Sequence, residues 1–296
     1  MSWLVMQSQF SVPEVLTTSV DGCKVVWRVV GDGPPAILLH GGHGSWRHWA
    51  RNIESLSGIR RLLIPDMPGF GDSDDSPVSD MAGFVGLLAE SMDQLPTGDG
   101  IVDLVGFSFG GFAAAHLVNH ELLAPRVRSL ALLGPAGHGG SRRLTIDLVD
   151  WRRVSGAEAL AAALRQNLAT FMFAESTEVD DEALEIHTAA CQATRFRSKV
   201  ISRMGGLQKA VSRFEGPLLM AWGDADVTVT PTEIPGIIRA SRPSCNAQCL
   251  DGHTRVCVIP AAGHWVQYEA SQSVNELLLQ FWQDAEHGPA GAGQGA

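Results

Sequence analysis

The sequence predicts an α/β protein, a mostly parallel sheet with helices on both faces and a helical cap inserted into it. Three observations lead there. Short apolar runs alternate with stretches of helical spacing along most of the chain, the pattern of parallel strands joined by crossover helices. A buried strand runs straight into a helix at Ile101–His120, IVDLVGFSFGGFAAAHLVNH, with a serine at the junction. The strand pattern then disappears between Ala136 and Phe214 and resumes at Pro217, so that segment reads as an insertion. The boundaries this predicts are 1–135 and 215–287 for the sheet domain, 136–214 for the helical cap and 288–296 for a disordered Gly/Ala tail.

A chain of 296 residues with 45% hydrophobic and 18% charged residues can bury a large core. Its net charge of −10 argues against nucleic acid or an anionic membrane as a partner, since both need clustered Lys and Arg. No basic residue precedes Lys24, and Gln7, Gln9 and Glu14 interrupt the apolar run a signal peptide needs. No stretch approaches a membrane span. Five cysteines, an odd number scattered from Cys23 to Cys257, make no disulfide framework. The expectation is a reduced, cytoplasmic protein whose partner is a small-molecule substrate. Its oligomeric state is not set by the sequence, a homodimer being one compatible arrangement.

Taken in order, Val15–Ser19 and Cys23–Val30 are β-rich runs flanking Asp21-Gly22, a strong hairpin signal, and are expected as two antiparallel edge strands. Ala36–Leu39 is a short apolar strand ending in His40-Gly41-Gly42-His43-Gly44-Ser45-Trp46, a loop whose glycines let backbone approach a ligand. Arg61–Pro65 is the next strand, and it enters the turn-rich run Asp66 to Ser73. Met81–Leu95 has helical spacing, and Val127–Leu133 is a buried strand ending in Gly134-Pro135. Within the insertion, Trp151–Phe173 and Asp181–Met204 read as helices. Pro217–Trp222 and Thr254–Ile259 are the last strands, and a helix at about 271–286 closes the domain with Val274, Leu277, Leu278 and Phe281 on its apolar face.

Ser108 stands at the strand-to-helix junction, with Gly106 two residues before it and Gly110 and Gly111 two and three after. Glycines there remove the side chains that would clash in a very sharp turn, and such a turn holds the hydroxyl out above the strand. The helix beginning at Phe109 presents free N–H groups and a positive dipole end beside that hydroxyl, which suits an oxyanion. A second oxyanion N–H is expected from Gly42 or His43 in the first glycine-rich loop. A serine needs an imidazole to take its proton, and the imidazole needs a carboxylate to fix its tautomer. Asp226, in Gly223-Asp224-Ala225-Asp226, and His264, in Ala261-Ala262-Gly263-His264, each follow an apolar strand. In a parallel sheet all three groups reach its carboxyl edge, in the chain order Ser, Asp, His. Asp224 is the second choice of acid, and no acid follows the preceding strand, where Gly134-Pro135 stands.

At these residues the sequence closely resembles the α/β-hydrolase family, through HGGHG, DMPGFGDSD, GFSFGG, WGDADVTVTP and AAGHWVQYE, over about 15–283. The resemblance implies the α/β-hydrolase fold and hydrolysis through an acyl-enzyme. Ser108 would be the nucleophile, His264 the base and then acid, and Asp226 its orienting carboxylate, with Gly42 or His43 and Phe109 as oxyanion donors. It implies no metal and no organic cofactor. Within the family, the chain is most similar to the carbon–carbon bond hydrolases that cleave meta-ring-fission products. The loop after His40, LLGPAG at Leu132–Gly137 and GHWVQYE carry that similarity. The first loop is shorter than theirs, with His48 near the place of their Asn, and His187 falls where their cap carries an Arg for the substrate carboxylate. Arg195 and Arg197 are near it in sequence. Esterase, lactonase and thioesterase activities share the remaining features, and a ligand-binding protein or an aminopeptidase-like or perhydrolase activity on the same fold are the alternatives.

The expected substrate-binding residues are Gly41, Trp46, His48, His187 and Trp265, with His43, His138 and Trp49 as further candidates beside the same loops. Cys245, Cys249, His253 and Cys257 recur every fourth residue, a spacing that invites a zinc reading. The segment runs through a Gly-containing loop into a strand, so no single helix aligns the four, and no metal site is expected. Cys257 reads as a small core residue.

Overall fold

The computed structural model describes residues 13–98, 100–140, 143–144, 146–243 and 253–287. Its core is one eight-stranded sheet in the order β1-β2-β4-β3-β5-β6-β7-β8. The strands are β1 (Glu14–Val20), β2 (Cys23–Val30), β3 (Pro35–Leu39), β4 (Arg61–Asp66), β5 (Val102–Phe107), β6 (Val127–Leu133), β7 (Leu218–Gly223) and β8 (Thr254–Ile259). β1 and β2 form the expected antiparallel hairpin, and its Asp21-Gly22 turn has positive φ at both residues. Of these two, however, β1 alone is an edge strand. β2 also pairs antiparallel with β4, so its two ladders are both occupied, and the reading of both as edges is corrected. From β4 to β8 all pairings are parallel.

Period-two alternation sorts the strand side chains to two buried faces. Ile37, Leu39, Leu104, Leu130, Leu132 and Met220 pack on one face. Ala36, Leu38, Val105, Ala131, Leu133 and Leu219 pack on the other. Ten helices follow in chain order among the described residues: α1 (Ile53–Ser57), α2 (Met81–Asp93), α3 (Phe109–Leu117), α4 (Ala157–Phe171), α5 (Asp181–Gln192), α6 (Ser198–Ile201), α7 (Leu207–Val211), α8 (Ile234–Ser241), α9 (Val266–Glu269) and α10 (Ser271–His287). α2, α3, α7 and α8 cover the first face, while α1, α10 and the end of α4 cover the second. α2 is started by Asp80, whose carboxylate accepts the Gly83 N–H at 3.0 Å. On α10 Val274, Leu278 and Phe281 are buried, and Leu277 packs against them.

The connection from β6 to β7 carries α4 to α7, and both helices expected there are shorter than the spacing predicted. α4 begins at Ala157 because Gly156, at φ 92°, separates it from a short 3-10 turn at Trp151–Arg153. α5 ends at Gln192, and the chain then turns away. The N–H groups of Arg195 and Phe196 both bond the Gly69 carbonyl of the β4 loop, where a continuing helix would have kept them internal. Cys245, Cys249 and the tail from Gly288 lie outside the described residues. Among those described, no helix is long and apolar enough to cross a membrane, and no cluster of three or more His, Cys, Asp or Glu could hold a metal ion.

Candidate active site

Ser108 lies between β5 and α3 at φ 52° and ψ −114°, a strained conformation for a residue with a side chain. Missing side chains on both flanks make the turn feasible. A Cβ on Gly106 would stand 2.4 Å from the Gly110 carbonyl oxygen, and one on Gly110 2.3 Å from that of His40. The Ser108 peptide is fixed by its N–H to Leu133 and by its carbonyl, which accepts from Phe112 and Ala136. Overdetermination of this kind is what lets strain persist.

His264 Nε2 lies 2.9 Å from Ser108 Oγ, and its Nδ1 lies 2.9 Å from Asp226 Oδ2 and 3.1 Å from Oδ1. An Nδ1–H donating to the carboxylate leaves Nε2 free to accept from the hydroxyl, so the contacts select one tautomer. Asp226 is fully buried. Burial alone would raise its pKa, but His264 and the hydrogen bonds from His264 and from the Thr228 N–H and hydroxyl outweigh it, holding the carboxyl below its ordinary range. Asp224 is exposed, and the carboxylate that meets His264 is that of Asp226. Gly134 makes room for the pair, since a Cβ there would stand 3.1 Å from Asp226 Oδ2 and 3.2 Å from His264 Nδ1. Phe107 and Phe171 pack on the His264 ring with centroids at 5.1 and 5.2 Å.

The loop after β3 is shaped by histidines that stay inside it. His40 Nδ1 donates to the Gly41 carbonyl at 2.8 Å and Nε2 accepts the Met67 N–H at 3.0 Å, while burial lowers its pKa to about 4. His48 Nδ1 accepts the Gly41 N–H at 3.3 Å. Among the described residues the N–H groups of Gly42 and His43 engage no acceptor, nor does that of Phe109, the first residue of α3.

Ser108 and His264 open into a cavity of about 1130 Å³. Of the sequence-predicted residues, Gly42, His43, Phe109, His138 and His187 line it. Gly41, Trp46, His48 and Trp265 do not, and their assignment to substrate is corrected. Gly41 is buried because the Phe107 ring would meet its Cβ at 2.9 Å. Trp46 packs under the Arg28 guanidinium, 5.6 Å from its ring centroid, and donates its N–H to Asp66. His48 and Trp265 are wholly inside, their rings tilted at 50° with centroids 5.0 Å apart, and the Trp265 indole N–H donates to the His48 carbonyl. Trp49 is buried in the second core face.

Residues that the sequence reading did not single out form much of the wall: Phe171, Met172, Arg152, Lys199 and Arg203, with Arg197 beside them. Arg195 also lines it, but its guanidinium is taken up by Asp75 and the carbonyls of Gly71, Ser73 and Ala193. Asp150 is the acid of the lining, and it pairs with Arg153 at 3.1 Å. Burial holds His43 and His187 to a pKa of about 4, with the charges of Arg152 and Lys199 adding to the effect at His43. His187 Nε2 lies 3.5 Å from Cys191 Sγ, a thiol that burial pushes up to about 12. Thr228 had a legible signal in its place two residues after Asp226, whereas the basic lining came from helices whose facing no local pattern reveals.

The family model of the alpha/beta hydrolase family matches residues 36–277. The chain belongs to the alpha/beta hydrolase family. A 2-hydroxy-6-oxo-6-phenylhexa-2,4-dienoate hydrolase of Burkholderia cepacia is 29% identical over 268 residues, covering 85% of this chain and 88% of the relative. Among solved structures, a meta-cleavage product hydrolase from Pseudomonas fluorescens superposes with a TM-score of 0.72 at 22% identity, covering 91% of this chain and 98% of that one. Naproxen esterase from Bacillus subtilis superposes at 0.74 and 19% identity, with 95% of each chain covered. Both structural matches share the fold.

Proposed function

We propose that the chain is a serine hydrolase acting on a small, largely apolar substrate that carries a carboxylate, with the vinylogous diketone of a 2-hydroxy-6-oxo-dienoate first and a carboxylic ester second. The observation that carries this is the unbroken line from Ser108 Oγ through the His264 ring to Asp226 at the wall of a large cavity. In this reading His264 takes the Ser108 proton as the oxygen attacks the carbonyl carbon, and Asp226 stabilises the imidazolium. The N–H groups of Phe109 and of Gly42 or His43 receive the oxyanion. Collapse expels the alkoxide of an ester or the dienolate carbon of the diketone, which takes the proton from His264. Water then hydrolyses the acyl-enzyme by the reverse route.

The β6–β7 connection acts as a cap, residues 136–214. Arg152, Arg197, Lys199 and Arg203 line the cavity on a chain of net charge −10, which supports an anionic group on the substrate. His43 and His187 are neutral at pH 7 and serve as hydrogen-bonding groups rather than charges. The relationship to the Burkholderia cepacia hydrolase supports the dienoate over the ester. Turnover of 2-hydroxy-6-oxo-6-phenylhexa-2,4-dienoate and of p-nitrophenyl butyrate, each with the Ser108→Ala protein as blank, tests the reading. Preference for the ester removes the carbon–carbon assignment, and no Ser108-dependent turnover of either makes the chain a binding protein on this fold.

A further inference from the structure

The loop that carries His264 is not held by the sheet alone. Glu269, at the end of α9, accepts the Gly263 N–H at Oε2 (2.7 Å) and the Ala174 N–H at Oε1 (2.8 Å). Gly263 immediately precedes His264, and Ala174 lies just beyond α4 in the β6–β7 connection. A third bond runs alongside, from the Trp265 N–H to the Met172 carbonyl at 2.8 Å. The two segments touch so closely that a Cβ on Gly263 would stand 2.5 Å from the Phe173 carbonyl carbon. From the same stretch Phe171 lays its ring edge-on to His264, with centroids 5.2 Å apart.

We propose that Glu269 is a positioning residue, whose carboxylate ties the His264 loop to the end of α4 so that the connection over the cavity and the proton-carrying imidazole are set as one unit. The inference rests on the reading of His264 as the base. One carboxylate with two acceptor oxygens suits two N–H groups from separate segments, and an amide offers one acceptor and one donor. Among the described residues no cation forms an ion pair with Glu269. The charged groups that face it are Glu178, from the turn Ser176–Glu178, and Asp226, from the loop after β7. Burial, with those two carboxylates, pushes it up to about 7 against the two N–H bonds that pull it down. The clamp is therefore fully charged above neutrality and loses one acceptor as the pH falls through about 7.

The test compares wild type, Glu269→Gln and Glu269→Ala on whichever substrate the wild type turns over, from pH 5.5 to 9. Displacement of a catalytic group is expected to lower kcat about 10-fold in Glu269→Gln and about 100-fold in Glu269→Ala, with KM within about twofold. The ratio of wild-type to Glu269→Gln activity is expected to rise from near one at pH 5.5 to about 10 at pH 9. A ratio independent of pH, or kcat within about twofold of wild type in both variants while only the melting temperature falls, overturns the proposal. A second readout needs no turnover: the low-field proton resonance of His264 Nδ1–H, identified by its loss in His264→Ala. It is expected to shift or broaden in Glu269→Gln, and an unchanged resonance overturns the clamp. Absence of wild-type turnover with a shifted resonance defeats the catalytic reading and leaves the clamp standing.

Discussion

Asp103 and Asp226 are both fully buried carboxylates at opposite ends of the same sheet, and their surroundings differ in kind. Asp103, near the start of β5, receives Arg128 Nε at 3.0 Å and the Ser129 hydroxyl at 2.6 Å, and Arg60 Nε lies 3.4 Å away. Glu286 closes the cluster at 2.8 Å from Arg60 and 3.1 Å from Arg128. Two guanidinium cations, Arg60 and Arg128, surround that carboxylate. Asp226 instead faces an imidazole and a threonine, one group able to gain a proton and one only to donate a hydrogen bond. The first end is an ion-paired cluster; the second holds one imidazole against its carboxylate. Burial alone does not mark a functional acid. The chemistry of its partners does.

Substitutions that separate activity from stability sharpen this contrast. The largest effect is expected from Ser108→Ala, which removes the nucleophile and should lower kcat by about 10⁴-fold or more with an unchanged melting curve. Asp226→Asn follows at about 10³- to 10⁴-fold, because an amide stabilises the wrong histidine tautomer, while Asp224→Asn stays within about twofold. If the two exchange places, the acid has been misassigned. At the other end, Asp103→Asn leaves Glu286 as the one carboxylate shared by Arg60 and Arg128 and should cost about 3 kcal/mol in urea unfolding, with kcat of the folded protein retained. A loss of kcat there would show that the two ends are not independent. Thr228→Val removes one donor to Asp226 and is expected to cost about 1.5 kcal/mol, or about 10-fold in kcat.

Acid titration gives the smallest and most diffuse effect. His40, His43 and His187 have folded pKa values of about 4, below their ordinary 6.5. The stability they contribute is full above pH 6.5 and drains as pH falls toward 4, by about 1.4 kcal/mol per pH unit for each proton taken up on unfolding. Glu269 acts in the opposite sense, its contribution being full below its ordinary 4.5 and lost as pH rises through about 7. Three histidines against one carboxyl leave a net loss on acidification, measurable as a falling urea midpoint between pH 6.5 and 4.5. A flat midpoint over that range would show that these histidines are hydrated.

The sheet was legible because a strand buried on both faces is a short apolar run whatever its neighbours are. Val127–Leu133 coincides with β6 for this reason, while Thr254–Ile259 coincides with β8, an edge strand that is only partly buried. Ser108, Asp226 and His264 were legible as a set since each stands in the loop after such a run, and parallel pairing carries all three loops to one edge. Loop neighbours were not. Trp265 adjoins His264 in the chain, yet a large ring beside a short helix lowers its free energy by stacking on Tyr268, 4.2 Å between centroids, and it turns inward.

By itself the sequence determined the fold, the serine elbow and the order of the three polar groups, all consequences of period, glycine placement and chain direction, which are local properties. Tertiary structure decided the rest. That β2 is internal, that beyond α5 Gly69 captures the N–H groups of Arg195 and Phe196, that Arg195 is occupied while Arg152 and Lys199 face the cavity, and that Glu269 spans Gly263 and Ala174 all depend on contacts between segments far apart in the chain. Such contacts leave no periodic trace, because a hydrogen bond or a packed ring constrains position in space and not spacing in sequence.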